Sequence, residues 1–117
     1  FMLEISLDRL LSYADLNKKF MRLPVFPGIS RDLSLILKEG GLAGDILKAV
    51  KEKGGPLLAE AKLIDCYKGR QIPSGFKGLT ISCLYRSDER TLTEEEVAPI
   101  HSGISSLLME RFQAQIR

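Results

Sequence analysis

Leu63-Ile64-Asp65-Cys66-Tyr67-Lys68-Gly69-Arg70-Gln71-Ile72-Pro73 decides the fold, together with Tyr85-Arg86-Ser87-Asp88-Glu89-Arg90-Thr91-Leu92-Thr93-Glu94-Glu95-Glu96 downstream. The first stretch leaves a β-prone segment and enters a loop marked by glycine and proline, the pattern of a strand running into a hairpin. The second ends a strand and opens a helix. In Thr93-Glu94-Glu95-Glu96 the threonine oxygen is placed to take an orphan N–H, and Glu96 to reach back to the cap. Three acids in the first turn also suit the positive end of the helix dipole. Strand, hairpin, strand and capped helix are therefore contiguous.

The flanking segments complete the pattern. Arg31 to Lys38 alternates, with Leu33, Leu35 and Leu37 on one side and Asp32, Ser34 and Ile36 on the other, the period of a half-buried strand. Gly40-Gly41 breaks it. Ala43, Ile46, Leu47 and Val50 recur at helical spacing, and Gly54-Gly55-Pro56 is a helix stop. Leu58 to Lys68 is the second strand, Gly69 to Lys77 the hairpin loop and Gly78 to Arg86 the third strand. Val97, Ile100, Ile104, Leu107 and Leu108 form the apolar stripe of a second helix. Pro99 lies inside it, where it removes a backbone hydrogen bond and predicts a mild kink. Phe112 to Arg117 supplies a short last strand. The order β-α-β-β-α-β predicts an α+β, ferredoxin-like two-layer sandwich: a four-stranded antiparallel sheet with two helices on one face. The other face is left open.

Upstream, Met2 to Asp8 sets Leu3, Ile5 and Leu7 against Glu4, Ser6 and Asp8, which predicts one more strand. Leu10 to Phe20 is mixed, either a short helix or a loop. Leu23-Pro24-Val25-Phe26-Pro27-Gly28 is an extended connector, because proline restricts itself and its predecessor. The boundary goes here: an N-terminal arm over 1–23 and a domain over 24–117. An unpaired apolar strand seeks a partner, so the arm is expected to dock on its own domain's edge or to pair between chains.

Bulk composition bounds the function. The 117 residues are 44% hydrophobic and 27% charged, with net charge +2, enough for one domain with a core. That charge alone does not announce a nucleic-acid binder. No apolar run nears the ~18 residues of a membrane span, and no signal peptide is visible. The chain begins at Phe1, and we read it as a piece of a longer protein. Two cysteines and one histidine cannot build the usual four-ligand zinc site. Cys66 and Cys83 read as buried, reduced thiols of a cytoplasmic protein.

Strand parity assigns the open face. Leu33, Leu35 and Leu37 go to the helices, as do Ile64, Cys66, Leu79, Ile81 and Cys83. Asp32, Ser34, Ile36, Leu63, Asp65, Tyr67, Gly78, Thr80, Ser82, Leu84 and Arg86 then face outward. One aromatic ring, one central carboxylate, small hydroxyls and a cation suit single-stranded RNA: the ring stacks on a base, the carboxylate accepts from base amino groups, and cations meet phosphate. Lys62, Lys68, Arg70, Lys77 and Arg86 cluster around the two strands as candidate phosphate contacts. The bland readings are a sheet tyrosine packed on its neighbours and a solvated rim of charge. Arg31 and Arg90 each sit beside an acid and read as ion pairs. Gly40-Gly41-Leu42-Ala43-Gly44 lacks the spacing of a phosphate-cradling loop. His101 has no nucleophile set around it in any recognised spacing. Glu94-Glu95-Glu96 is explained by capping.

Three motifs in this order resemble one family. They are Phe26-Pro27…Arg31-Asp32-Leu33 entering the first strand, Asp65-Cys66-Tyr67-Lys68-Gly69, and the Tyr85-Arg86 to Glu96 stretch. From about Pro24 to Arg117 the chain resembles the C-terminal ferredoxin-fold anticodon-binding domain of the bacterial phenylalanyl-tRNA synthetase beta subunit. The resemblance implies that Asp65 and Tyr67 receive an anticodon base. Joined to the open-face and cation readings above, this gives an expected RNA-binding set of Asp65, Tyr67, Ser34, Lys68, Arg70, Lys77, Gly78, Ser82 and Arg86. The family often has serine where this chain has Gly78, which removes a hydroxyl. The resemblance also implies a non-catalytic module without catalytic, cofactor or metal residues. ATP and magnesium would serve the whole enzyme through its alpha subunit, in a heterotetramer with a second beta subunit. The tRNA(Phe) anticodon loop would be the partner. The alternative is a small-ligand-binding regulatory domain of the same topology; a hydrolase of the acylphosphatase kind lacks its loop here.

Overall fold

Alternation over three strands of ten residues each decides the architecture. The computed structural model describes residues 1–117. In chain order they form α1 (Leu7–Leu11), β1 (Ile29–Lys38), α2 (Ala43–Gly54), β2 (Leu58–Tyr67), β3 (Phe76–Tyr85), α3 (Glu94–Phe112) and β4 (Gln115–Ile116), with a 3-10 turn over Gly55–Leu57. The four strands make one sheet in the order β2-β3-β1-β4, every pairing antiparallel. The predicted ferredoxin-like α+β sandwich is thus the observed fold. No helix is long and apolar enough to cross a membrane.

Burial follows parity on β1 and β3. Leu33, Leu35 and Leu37 of β1 and Leu79, Ile81, Cys83 and Tyr85 of β3 are buried, and they cluster with Ile46 and Val50 of α2 and Val97, Ile104 and Leu108 of α3. Each of the aliphatic side chains among them contributes about 1.5–3 kcal/mol by leaving water. Glycine ends α2: Gly55 adopts φ +63°, a left-handed geometry that a Cβ would strain.

The start of α3 follows its capping signature. The Thr93 N–H donates to Glu96 Oε2 at 2.9 Å, and Arg90 Nη1 donates to the same carboxylate at 2.7 Å. The Arg90 hydrogen bonds, then that of the Thr93 backbone, hold the Glu96 carboxyl down at about 2. Arg31 pairs with Glu94. Both arginines therefore tie to the start of α3 rather than to their neighbours in sequence. The helix continues through Pro99.

Three expectations are corrected. The strand over Met2 to Asp8 does not form: residues 1–6 are irregular and Leu7–Leu11 is a short helix. Nor does the arm dock on the domain edge, since Phe1, Leu3, Ile5, Leu7, Leu10 and Leu11 are all exposed. Alternation describes a strand only where a neighbouring strand accepts its hydrogen bonds, and no sheet edge reaches this segment. Third, Cys66 is exposed, whereas Cys83 is buried as expected; burial pushes the Cys83 thiol up.

Cys66 lies opposite buried Leu79 on an edge strand, so it keeps the helix-side face yet stays open to solvent. β2 also carries a register shift between Leu63 and Asp65. Leu63 lies opposite buried Ile81 and packs against the core, while Ile64 is the extra residue and is 55% exposed. Simple alternation across this bulge reverses the faces of Leu63 and Ile64. A bulge re-aims the residues that follow it, and here those residues are Asp65 and Tyr67.

Candidate nucleic-acid interface

The uncovered face is organised in rows across the strands. Asp65 of β2, Thr80 of β3 and Ser34 of β1 are register partners, and the Ser34 and Thr80 hydroxyl oxygens lie 3.4 Å apart. The next row is Tyr67, Gly78, Ile36 and Gln115. On the other side lie Lys62, Ser82 and Asp32. Five of the sequence-derived residues, Ser34, Asp65, Tyr67, Gly78 and Ser82, therefore share one face, with the first four in two adjacent rows.

Gly78 explains how Tyr67 lies. A methyl group on Gly78 would come within 2.8 Å of Cζ and both Cε atoms of the Tyr67 ring. The far end of the ring thus occupies the space above the glycine, reaching from β2 over β3. Glycine permits this close approach. Gly78 offers no side-chain hydroxyl, and it leaves room for the ring to rest on the sheet. The Tyr67 hydroxyl accepts a hydrogen bond from Arg117 Nη1 at 3.3 Å, and Arg117 Nη2 donates to Gln71 Oε1 at 3.0 Å. Tyr67 is half-buried and Asp65 exposed, so ring and carboxylate are both reachable from solvent.

The cations divide. Lys68 pairs with Glu39, and Lys62 lies 3.3 Å from Glu60. Lys77 is a register partner of buried Leu37 and its ammonium donates to the Gly41 carbonyl, so it belongs to the helix side and not to the open face. Parity dictates this, since Lys77 and Gly78 are consecutive on one strand. Arg70 is exposed in the hairpin loop. Arg86 lies at the other end of β3, its N–H donating to the Leu57 carbonyl, roughly 26 Å along the strand from Gly78.

Two pairs escaped the sequence reading. Arg117 and Gln71 reach Tyr67 from β4 and from the hairpin, and a two-residue strand carries too little periodicity to fix its register. Tyr85 and His101 were separated by their assignment to different elements. The Tyr85 hydroxyl and His101 Nδ1 lie 2.9 Å apart, with the rings edge to face at 6.0 Å. Burial pushes the Tyr85 phenol up and, with the Arg31 charge, the His101 imidazole down. The pair ties the sheet to α3.

No group of three or more His, Cys, Asp or Glu side chains converges. The largest depression, about 540 Å³, is lined wholly by arm residues between Glu4 and Tyr13. A second, about 300 Å³, lies between Arg31, Glu94 and His101 at the start of α3. Neither includes Tyr67 or Asp65.

Comparison with known proteins agrees with this picture. The family model described as Ferredoxin-fold anticodon binding domain matches residues 24–117. The phenylalanine–tRNA ligase beta subunit of Clostridium tetani is 39% identical over all 117 residues, and that of Geobacillus kaustophilus 36%. The counterpart from Clostridium acetobutylicum is 35% identical over the same length. The chain spans about 15% of the length of these relatives.

Proposed function

The chain belongs to the ferredoxin-fold anticodon-binding domain family, and from that premise we propose that its open sheet face receives the anticodon loop of tRNA(Phe). The observation that carries the reading is the Tyr67 ring lying over Gly78 beside the Asp65–Thr80–Ser34 row. An unpaired base stacks on the ring, a contact worth about 1–3 kcal/mol per base. The Asp65 carboxylate accepts from base amino or imino groups, and the Ser34, Thr80 and Ser82 hydroxyls donate or accept at the base edges. Arg70, Lys68 and Arg86 meet phosphate, Lys68 after exchanging its Glu39 partner.

In this reading the domain makes and breaks no bonds. It holds one end of the tRNA so that the other reaches a distant active site, a contribution of proximity and orientation. Aminoacylation falls to the alpha subunit of a cytoplasmic ligase built from two alpha and two beta subunits. ATP and magnesium belong to that whole enzyme. This chain brings together no metal-ligating cluster, and its Gly40-Gly41 loop lacks the phosphate-cradling spacing.

The test is a titration of the chain with the tRNA(Phe) anticodon stem-loop, beside a stem-loop of altered anticodon, at low and moderate salt. Preferential, salt-sensitive binding is expected. Equal affinity for both loops would reduce the face to a generic cationic surface, and no binding at high protein concentration would overturn the assignment.

A further inference from the structure

We propose that Arg117 is a phosphate-contacting residue of this interface, placed where RNA stacked on Tyr67 brings its backbone past the ring. The inference rests on the anticodon-loop reading above and adds a contact to it.

Three observations carry it. Arg117 follows β4, and its N–H donates to the Ser34 carbonyl at 3.0 Å, which anchors its backbone beside the Asp65–Thr80–Ser34 row. Its side chain crosses the open face to the far edge strand, where the guanidinium bonds the Tyr67 hydroxyl and the Gln71 amide oxygen. Both partners are neutral. Unlike Lys62, Lys68, Arg31 and Arg90, Arg117 forms no ion pair with a carboxylate. Its charge is therefore uncompensated, and the planar fork keeps donors free beyond the two in use. Such a guanidinium is suited to a phosphodiester, which it meets with paired, charge-assisted hydrogen bonds. Gln71 and Tyr67 hold the fork at the end of the ring before RNA arrives, so little side-chain freedom is lost on contact.

A phosphate contact and a mere prop for Tyr67 differ in salt dependence. Binding that neutralises phosphates falls with salt, with a log–log slope of about −0.7 per contact on a single strand. The experiment titrates the tRNA(Phe) anticodon stem-loop into the chain and its Arg117→Ala, Arg117→Lys and Tyr67→Ala variants between about 50 and 200 mM salt. For Arg117→Ala the slope should become shallower by about 0.7, so that its affinity deficit shrinks about 2.6-fold across this range. Arg117→Lys should keep the wild-type slope, because the charge remains while the fork is lost. Tyr67→Ala should weaken binding at all salts with the slope unchanged. Weakened binding by Arg117→Ala at unchanged slope would reduce Arg117 to a support for the ring and overturn the proposal. Wild-type behaviour of Arg117→Ala, with Tyr67→Ala still impaired, would overturn it while leaving the anticodon-loop reading intact. No binding by the unmodified chain would overturn both.

Discussion

The two faces of the sheet are made by the same strands, yet they obey different rules. Toward the helices, Leu35, Leu37, Ile81, Cys83 and Tyr85 are wholly or almost wholly buried, and the selection is for volume and dryness. Toward solvent, neighbouring positions on those strands carry Ser34, Ile36, Thr80 and Ser82 at intermediate exposure, and the selection is for reachable chemistry. The first face specifies that the chain folds; the second is free to specify what it touches. Changes on one should therefore cost stability, and changes on the other should cost binding.

The sharpest way to break this division is in the core. Leu35→Ala should destabilise the domain by about 2–5 kcal/mol, because it removes transfer free energy and leaves a cavity. Denaturant unfolding measures it. If the variant loses RNA affinity while unfolding as the parent does, the faces are not independent.

Next in size is Tyr67→Ala. Binding of the anticodon stem-loop should weaken by about 1–3 kcal/mol, with the unfolding midpoint little changed. A large fall in midpoint with affinity retained would make Tyr67 a packing residue only.

A smaller effect sharpens the comparison from the buried side. His101 has a lowered pKa, so the unfolded chain takes up its proton first as pH falls. The associated stability is present above the ordinary histidine value of about 6.5 and lost as pH falls through the depressed folded value. Thermal midpoints between about pH 7.5 and pH 5.5 should drop for the parent and drop less for His101→Asn, which keeps an acceptor near Tyr85. Glu96 has the same sign further down: its stability is present above about 4.5 and lost as pH falls through about 2. Its effect belongs to strongly acid solution and should be separable.

The smallest expected effect concerns the arm. Because its apolar residues are exposed, removal of residues 1–20 should leave the thermal midpoint of the domain unchanged. A clear drop would show that the arm packs on the sheet or helices.

The fold was legible because its signals were redundant. Leucines alternate over β1, Thr93 and Glu96 cap α3, and Gly55 stops α2. Each is local, and all agree on one topology. The site was legible in part. Asp65 and Tyr67 do face outward, but through a bulge that strict alternation does not contain, so alternation misplaces Leu63 and Ile64, while Cys66 keeps its face and lacks only cover. Lys77 was drawn into the site by proximity in sequence, although consecutive strand residues point to opposite faces. Arg117 was invisible because its position beside Tyr67 depends on the register of a two-residue strand and on a side chain crossing two others. Alternation over Met2 to Asp8 misled for a related reason: local pattern implies a strand only when a partner exists.

The most direct test of the central claim is a photo-cross-link. An anticodon stem-loop carrying 4-thiouridine in its loop would be bound to the chain, irradiated, and the adducts located by mass spectrometry. The account predicts adducts on the open face, at Tyr67 foremost and at Arg117 or Asp65 beside it. Adducts confined to α2 and α3, on the opposite layer, would contradict it.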